Sequence, residues 1–468
     1  MALSWRPARQ AFHRLTWGVA DQAMGALTNF LLSIYIARTL GAAQFGAFSL
    51  AYVTYGFAIN ASRGLSVEPL LIRFSGTDLP TWRRATARCT GTALLMGLAT
   101  GSCALVAALL IGGTTGLAFL ALGLTLPGLM LQDSWRHSFF ALGRGYHAFI
   151  NDAIWAAVQI PLLVLLKISG HANVFSCVLV WGAGAIVGAA IGPLQARVRP
   201  NPAGATEWLS RHRDLGPRYL AENTGGNVGD TVRSYAISYI LGLAAVGYIQ
   251  AANTLMGPFK ILFFGLSLIT IPEAARILRR SPQHLPSFCA AVSTGLALLA
   301  LAWGAVLLVG MPRGLGHLML GSLWRPTYPL VLPATIAILS SCATAGALVG
   351  LHALGAARRS LRAVIIGAAV ILPSALIGAE TGGTLGTMRY VAAASWLGTL
   401  VCWWQFRQAL HESDTVAVPG WLWPDRHPRS SAADSDTTAA PEKGLPGSTD
   451  AALLQGDPQS LLRRSAAV

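Results

Sequence analysis

Charged side chains inside apolar stretches are the residues of this chain that could do chemistry. A charge at the centre of a bilayer costs about 2.5 to 3.5 kcal/mol, so each one needs a reason to be there. Three cations lie at this depth, namely Arg63, Arg233 and Lys260. Guanidinium and ammonium groups suit a phosphate, so all three are candidate contacts for an anionic ligand. The alternative is a purely structural ion pair, such as Arg233 could form with Asp230 three residues earlier.

Two further groups of charged residues, most of them carboxylates, accompany these cations. The first group comprises Asp21, Glu68, Glu222 and Asp230. These residues could form structural ion pairs or helix caps, or they could couple the movement of a driving ion. The second group is Asp133, Arg136 and Asp152, at the end of one apolar stretch and the start of the next. It predicts either a gate on one side of the membrane or a surface ion pair that holds the connecting loop.

The elements that position these residues are repeated along the chain. Residues 20–66 align without a gap with residues 221–267, and 13 of the 47 positions are identical. Gly41 and Gly46 return as Gly242 and Gly247, whereas Arg63, Arg233 and Lys260 align with Phe264, Leu32 and Ile59. The glycines are thus shared and the cations are not. Shared glycines are typical of a common helix scaffold, and the unshared cations indicate ligand contacts between two similar lobes.

The composition is that of a membrane protein. Apolar residues make up 53% of the 468 residues and charged residues 11%, against roughly 25% charge in soluble domains. Twelve apolar stretches are long enough, at roughly 20 residues, to cross the hydrocarbon core. The six cysteines are scattered singly through them, which favours packing over metal binding or redox chemistry. We therefore predict an all-α polytopic membrane protein with no metal and no cofactor.

The net charge of +15 is a signal of orientation rather than of nucleic-acid binding. Arginines cluster at alternate ends of the twelve stretches, and such ends face the cytoplasm. Both termini are then cytoplasmic. Six stretches separate the two repeat copies, so both cross the membrane in the same direction. The predicted organisation is one six-helix lobe over residues 1–205, a parallel one over 206–410, and a disordered cytoplasmic tail over 411–468. The three cations are expected to line the cavity between the lobes.

Two motifs resemble a known family. They are Ala37-Arg38-Thr39-Leu40-Gly41-x-x-x-Phe45-Gly46 and its repeat partner Leu241-Gly242-x-x-x-Val246-Gly247. Two shorter motifs follow them along the chain, Gly265-Leu266-Ser267 and Gly321-x-x-Trp324. In this order along residues 15–410 they resemble the Wzx-type oligosaccharide flippases. These belong to the multidrug/oligosaccharidyl-lipid/polysaccharide (MOP) exporter superfamily, together with the lipid II flippases and the MATE antiporters.

The resemblance implies a V-shaped, MATE-like bundle that moves a lipid-linked oligosaccharide across the bacterial cytoplasmic (inner) membrane. The polar head, a sugar chain on a phosphate or pyrophosphate, would pass through a hydrated cavity, while the polyprenyl tail, of undecaprenyl type, would stay in the lipid. Polysaccharide polymerases and glycosyltransferases are the protein partners that it implies.

The sequence also bears on three alternative functions. A membrane glycosyltransferase needs carboxylates in a sizeable outer loop, but the outer loop Gly112–Thr115 has none. The second-to-third loop, Ser75–Pro80, lacks the charged motif of major-facilitator transporters. A MATE-type ion-coupled drug antiporter remains open, with Asp21 or Asp230 as its coupling carboxylate. No Walker motif supports direct ATP use. The sequence thus predicts a transporter without enzymatic activity, and a flippase before an antiporter.

Overall fold

The computed structural model describes the backbone of residues 5–415, and the side chains within this range except those of 5–15, 226, 260–269, 271–272, 357 and 413–415. The described residues are predominantly helical, with short irregular connections, and contain no β-strand. The predicted all-α fold class is therefore confirmed. The side chain of Lys260 and the tail residues 416–468 lie outside the described residues.

Helices join end to end through very short turns. In the first half they are α1 (Trp5–Thr39), α2 (Ala42–Ser62), α3 (Glu68–Phe74), α4 (Leu79–Ile111), α5 (Gly113–Ala141), α6 (Gly145–Ser169) and α7 (Val174–Ala196). The short α8 (Ala205–Arg211) leads to the second half. There follow α9 (Gly216–Leu241), α10 (Leu243–Leu255), α11 (Gly257–Arg280), α12 (Leu285–Gly310), α13 (Gly316–Leu320), α14 (Trp324–Ala353) and α15 (Ala357–Thr415). A π-helical turn, Arg63–Val67, links α2 to α3.

Six helical stretches of the described residues are long and apolar enough to cross a membrane. Four of them are α4 to α7. The other two, Pro282–Ala353 and Arg358–Glu412, have 72 and 55 residues. At roughly 1.5 Å per residue each is long enough for two crossings, and each contains non-helical residues, at Arg313–Gly314 and at Gly382–Gly383. The remaining predicted crossings, along α1, α2, α9 and α10 with α11, contain the polar repeat residues. The count of twelve therefore stays a prediction.

The repeated glycines lie where the two copies meet. A Cβ atom on Gly46 in α2 would overlap the backbone carbonyl of Leu243, and a Cβ atom on Gly247 in α10 would overlap that of Ala42. Ala42 and Leu243 are themselves equivalent positions of the repeat, so the contact is reciprocal. Only residues without a side chain let the two backbones approach this closely. The glycines shared between the copies are thus those that join them.

The last helix extends beyond the predicted start of the tail. Helix α15 ends at Thr415, and Glu412 forms an ion pair with Arg359. The Arg359 Nη1 also donates to the side-chain oxygens of Gln405 and Gln408, each at 3.0 Å. A boundary at residue 411 was therefore placed too early. The predicted boundary followed the change in composition, but the helix continues past it, where Arg359 contacts Glu412.

Candidate functional site

A cavity of about 240 Å³ lies among α1, α2, α5, α6 and α7. One part of its wall is charged or polar and the other part is aromatic. Its lining residues are Gly25, Thr28, Asn29, Tyr52, Tyr55, Ile59, Arg63, Gln132, Asp133, Arg136, Asp152, Trp155 and Trp181. We call it the first cavity.

Arg63 and Asp133 form a two-pronged ion pair at its charged wall. The Arg63 Nε donates to Asp133 Oδ2 at 2.9 Å and Nη2 donates to Oδ1 at 2.6 Å. Arg63 is the first residue of the π-helical turn, and such turns are frequent at functional sites. His137 lies one turn beyond Asp133, with its Nδ1 3.6 Å from Asp133 Oδ2. The side chain of Asp133 is only 7% exposed, so this pair is held largely away from water.

Arg136 is shared by two further carboxylates. Its Nε and Nη2 both donate to Asp21 Oδ2, the former at 2.7 Å, and Nε lies 3.4 Å from Asp152 Oδ2. Asp21 is completely buried, and its Oδ1 has no hydrogen-bond partner among the described residues. Gly25 follows Asp21 by one helical turn, and a Cβ atom there would lie at an ordinary contact distance of 3.6 Å from Asp152 Oδ2. We call Asp21, Arg63, Asp133, Arg136 and Asp152 the ion network.

Neutral amides fix the position of α6 beside this network. Gln132 Nε2 donates to Asp152 Oδ1 at 2.8 Å and to Asn151 Oδ1 at 3.1 Å. Asn151 Nδ2 in turn donates to the backbone carbonyl of Gly188 at 2.9 Å and to Gln195 Oε1 at 2.8 Å. Satisfied networks of buried polar groups hold one arrangement rather than several. Asp152 is thereby oriented from two sides.

The ion network carries one negative charge more than positive charges. It contains three carboxylates and two guanidinium groups, and the described residues add only the neutral or singly charged His137. An uncompensated charge is costly where little water reaches it. One proton, on a carboxylate or on His137, or one monovalent cation would balance the site.

Aromatic rings form another part of the wall. The ring centroids of Tyr55 and Trp181 are 4.7 Å apart and edge to face, and Tyr52 lies 5.7 Å from Trp181. Trp155 donates its indole N–H to the Trp181 carbonyl at 2.9 Å. The sequence analysis did not identify these rings. The signal was present, because Tyr52, Tyr55, Ile59 and Arg63 follow one another at three- and four-residue intervals, which places them along one face of α2.

A second cavity, of about 380 Å³, lies between α9, α14 and α15. Arg233 and Asp230 line it, with the Arg233 Nη2 2.9 Å from Asp230 Oδ1. Hydroxyl groups are clustered nearby, since Thr399 Oγ1 lies 2.9 Å from Ser340 Oγ and 2.8 Å from Thr344 Oγ1. The remaining wall is mostly aliphatic or glycine, as with Leu348, Ala363, Val364, Gly367, Ala368, Ile371 and Leu372. We call it the second cavity.

The structure joins some predicted site residues and separates others. Asp133, Arg136 and Asp152 lie together as expected, with Asp133 and Asp152 buried and Arg136 partly buried, which differs from an exposed ion pair. Asp21 and Arg63 belong to the same ion network, which the sequence did not indicate. Arg63 and Arg233 line two different cavities rather than one.

The other predicted carboxylates lie apart from this network. Glu68 begins α3 and is partly buried, and Glu222 is exposed on α9 although it aligns with the buried Asp21. Asp230 pairs with Arg233, as the structural alternative predicted.

The chain matches no protein-family model and no curated protein sequence. Its fold is similar to that of an inward-facing multidrug resistance MATE family transporter of the MOP superfamily, with a TM-score of 0.68 and 13% identity over 84% of this chain and 96% of the other. The lipid II flippase MurJ in an inward closed conformation aligns with a TM-score of 0.58 and 11% identity over 86% of this chain and 91% of the other. A MOP superfamily transporter from Pyrococcus furiosus aligns with a TM-score of 0.56 and 12% identity, covering 86% and 96%.

At such low identity these likenesses show a shared fold. The chain is an all-α protein with the MATE-like fold, as predicted, and most of each solved chain is covered.

Proposed function

We propose that this protein is a flippase that moves a lipid-linked oligosaccharide of undecaprenyl type across the bacterial cytoplasmic membrane. The observation that carries the proposal is the first cavity, whose lining combines aromatic rings with carboxylates and amides. A sugar ring has an apolar C–H face, which packs on Tyr or Trp, and hydroxyl groups at its rim, which bond to Asp, Asn and Gln.

The second cavity supports the same class of cargo. Its aliphatic wall suits an isoprenoid chain, and Arg233 and the Ser340–Thr344–Thr399 hydroxyls suit a phosphate. An amphiphilic cargo fits such a lining, whereas a small hydrophilic solute would leave the aliphatic wall of the cavity without a contact.

Within this proposal Arg63, Arg233 and Lys260 attract the phosphate or pyrophosphate. Two nitrogens of Arg63 are engaged by Asp133, so its contribution is mainly its positive field. Asp133, Arg136 and Asp152 serve as the cytoplasmic gate, because the ion network ties α1, α5 and α6 together and would have to loosen if these helices separate. Glycosyltransferases and a polysaccharide polymerase would supply and consume the cargo.

A MATE-type antiporter is the second candidate, favoured by the excess carboxylate of the ion network. A site that holds one unbalanced negative charge can take up a proton or a cation in exchange for cargo. Asp21 is the residue best placed for this role, since one of its oxygens has no partner among the described residues. Ion coupling is compatible with a flippase, so the cargo decides between the two functions.

The test compares Tyr52→Ala with Tyr52→Phe in proteoliposomes that contain a fluorescent undecaprenyl pyrophosphate oligosaccharide. We expect the wild type and Tyr52→Phe to move the lipid between leaflets, because the ring is kept. Tyr52→Ala should be slower by about two- to tenfold, since an aromatic contact is worth roughly 0.5 to 1.5 kcal/mol beyond the area it buries.

The flippase is refuted by a wild-type protein that leaves the lipid-linked sugar in place but exchanges an organic cation for protons, which would establish the antiporter. Equal lipid movement by Tyr52→Ala at equal reconstituted amount would refute the contact of the sugar with the aromatic wall.

A further inference from the structure

A third cavity lies outside the cargo path, where α4, α5, α6 and α7 end on one face of the bundle. It has a volume of about 370 Å³. Arg83 comes from the first turns of α4, Arg144 precedes α6 and Arg197 follows α7, with His147 beside them. Leu79, Trp82, Phe139 and Leu142 supply an apolar floor. The sequence predicts that this face is cytoplasmic.

These three arginines have no counter-charge in the described part of the chain. No Asp or Glu lines the cavity, and none of the three forms an ion pair there. Arg83 Nε is buried and has no hydrogen-bond acceptor. Three guanidinium groups around one space repel one another unless an anion lies between them.

A neighbouring cavity shows the contrast. It is lined by Arg73, Arg84, Arg88 and Arg211 on the same face of the bundle. Three of these four are paired: Arg73 with Asp214 at 2.6 Å, and Arg88 and Arg211 with Glu207 at 2.9 and 2.7 Å. A general excess of arginine at the membrane surface therefore does not explain why none of the three arginines of the third cavity has an ion-pair partner among the described residues.

The backbone at Arg197 adds an independent observation. Its φ angle of 52° is the only positive one at a non-glycine residue in the described range. Glycine would adopt this conformation without strain, and strained residues of this kind cluster at functional sites. The residue at this position is nevertheless an arginine that lines the cavity.

We propose that the third cavity binds the phosphate of an anionic headgroup. Arginine forks match phosphate oxygens, and the N-terminal ends of α4 and α6 favour the same charge. A membrane lipid is the favoured source, because the apolar floor and the exposed Leu79 lie beside the phosphate position. The site is independent of the proposed cargo and stands whether or not the protein is a flippase.

The test uses the full chain in a neutral maltoside detergent. Binding of phosphatidylglycerol is measured from the shift of the thermal unfolding midpoint, with phosphatidylcholine of the same acyl chains as the neutral control. Arg144→Gln and Arg197→Gly each remove one charge. Arg197→Gly should fold at least as well as the wild type, because glycine accepts the positive φ. The matched control is Arg84→Gln, which changes the adjacent residue of α4 in the neighbouring cavity.

We expect phosphatidylglycerol to bind the wild type and Arg84→Gln alike, and Arg144→Gln and Arg197→Gly about tenfold more weakly. Inorganic phosphate at millimolar concentration is the second arm. If it gives the same variant-sensitive shift, the site takes soluble phosphate; if it gives none, the site requires the lipid. The proposal is overturned if the wild type does not prefer phosphatidylglycerol, or if all three variants bind it equally.

Discussion

Arg136 is the residue on which the ion network depends. It is the only described cation within 4 Å of either Asp21 or Asp152, while Asp133 has Arg63. Removing one partner of a buried ion pair leaves an unpaired charge and costs about 3 to 5 kcal/mol. Removing one of the three carboxylates instead brings the net charge of the ion network from −1 to zero.

We therefore predict that Arg136→Gln and Asp152→Asn behave oppositely. Arg136→Gln leaves two carboxylates without a cation and should lower the free energy of unfolding by about 3 to 5 kcal/mol. Asp152→Asn keeps an oxygen that can accept the Gln132 hydrogen bond and brings the network to neutrality. It should change stability by less than about 1 kcal/mol. Thermal unfolding in detergent measures both.

Asp133→Asn provides the control for this argument. It also removes a carboxylate, but it takes away the partner of Arg63, so it should destabilise the protein. If Asp152→Asn proves as harmful as Asp133→Asn, the charge count is not what decides tolerance, and a bound cation at Asp152 becomes the better explanation.

For individual residues, part of the candidate site could be predicted from the sequence. Asp133 and Arg136 are three residues apart on one helix, so their proximity could be predicted from spacing alone. The Arg63–Asp133 pair could not, because the partners are 70 residues apart and the π-helical turn sets the direction of Arg63. Neither the composition nor the spacing of residues predicts the local geometry of such a turn.

Among the elements, α2 and α10 depend on glycine for their contact. Gly46 and Gly247 each face the first residue of the opposite helix. Gly56 lies in the same helix as Gly46, but a Cβ atom there would meet nothing within 4 Å. One helix thus contains a glycine required by packing and one that is not.

This difference gives the second prediction. Gly46→Ala and Gly247→Ala should each lower the free energy of unfolding by about 1 to 3 kcal/mol, because a methyl group must push two backbones apart. Gly56→Ala should be neutral or stabilising by up to about 1 kcal/mol, since alanine restricts the unfolded helix segment. Unfolding midpoints of the three purified variants provide the comparison. Equal effects at Gly46 and Gly56 would mean that helix propensity, and not the reciprocal contact, accounts for the repeat.

Repetition made these glycines predictable, because a constraint that acts on both copies appears twice in the sequence. The end of α15 was not predictable in this way. It depends on the single ion pair of Arg359 with Glu412, which the polar composition after residue 411 concealed.

For the whole molecule, polar function and membrane insertion compete in the same helices. Length and hydropathy alone identify six helical stretches of the described residues that could cross a membrane, and none of them contains Asp21 or Arg63. The all-α class followed from composition, but the number of crossings rests on the pattern of arginines. Orientation is the property that tests this pattern most directly.

The third prediction is that the turns at Gly113 and Gly242 face the outside and that Arg280 and Arg407 lie inside. Gly113 is the first residue of α5 and Gly242 separates α9 from α10, and four of the predicted crossings lie between these two positions, so both should face the same side. Alkaline phosphatase, which is active only outside the cytoplasm, should therefore be active when fused after either glycine and inactive after either arginine. A fluorescent protein that matures only in the cytoplasm gives the reciprocal control at the same four sites. Opposite activities at Gly113 and Gly242 would mean an odd number of crossings between these two positions. With two crossings between Gly41 and Gly113, the lobes would then be inverted rather than parallel. In that case the reciprocal Gly46–Gly247 contact would need an axis in the membrane plane instead of one along its normal.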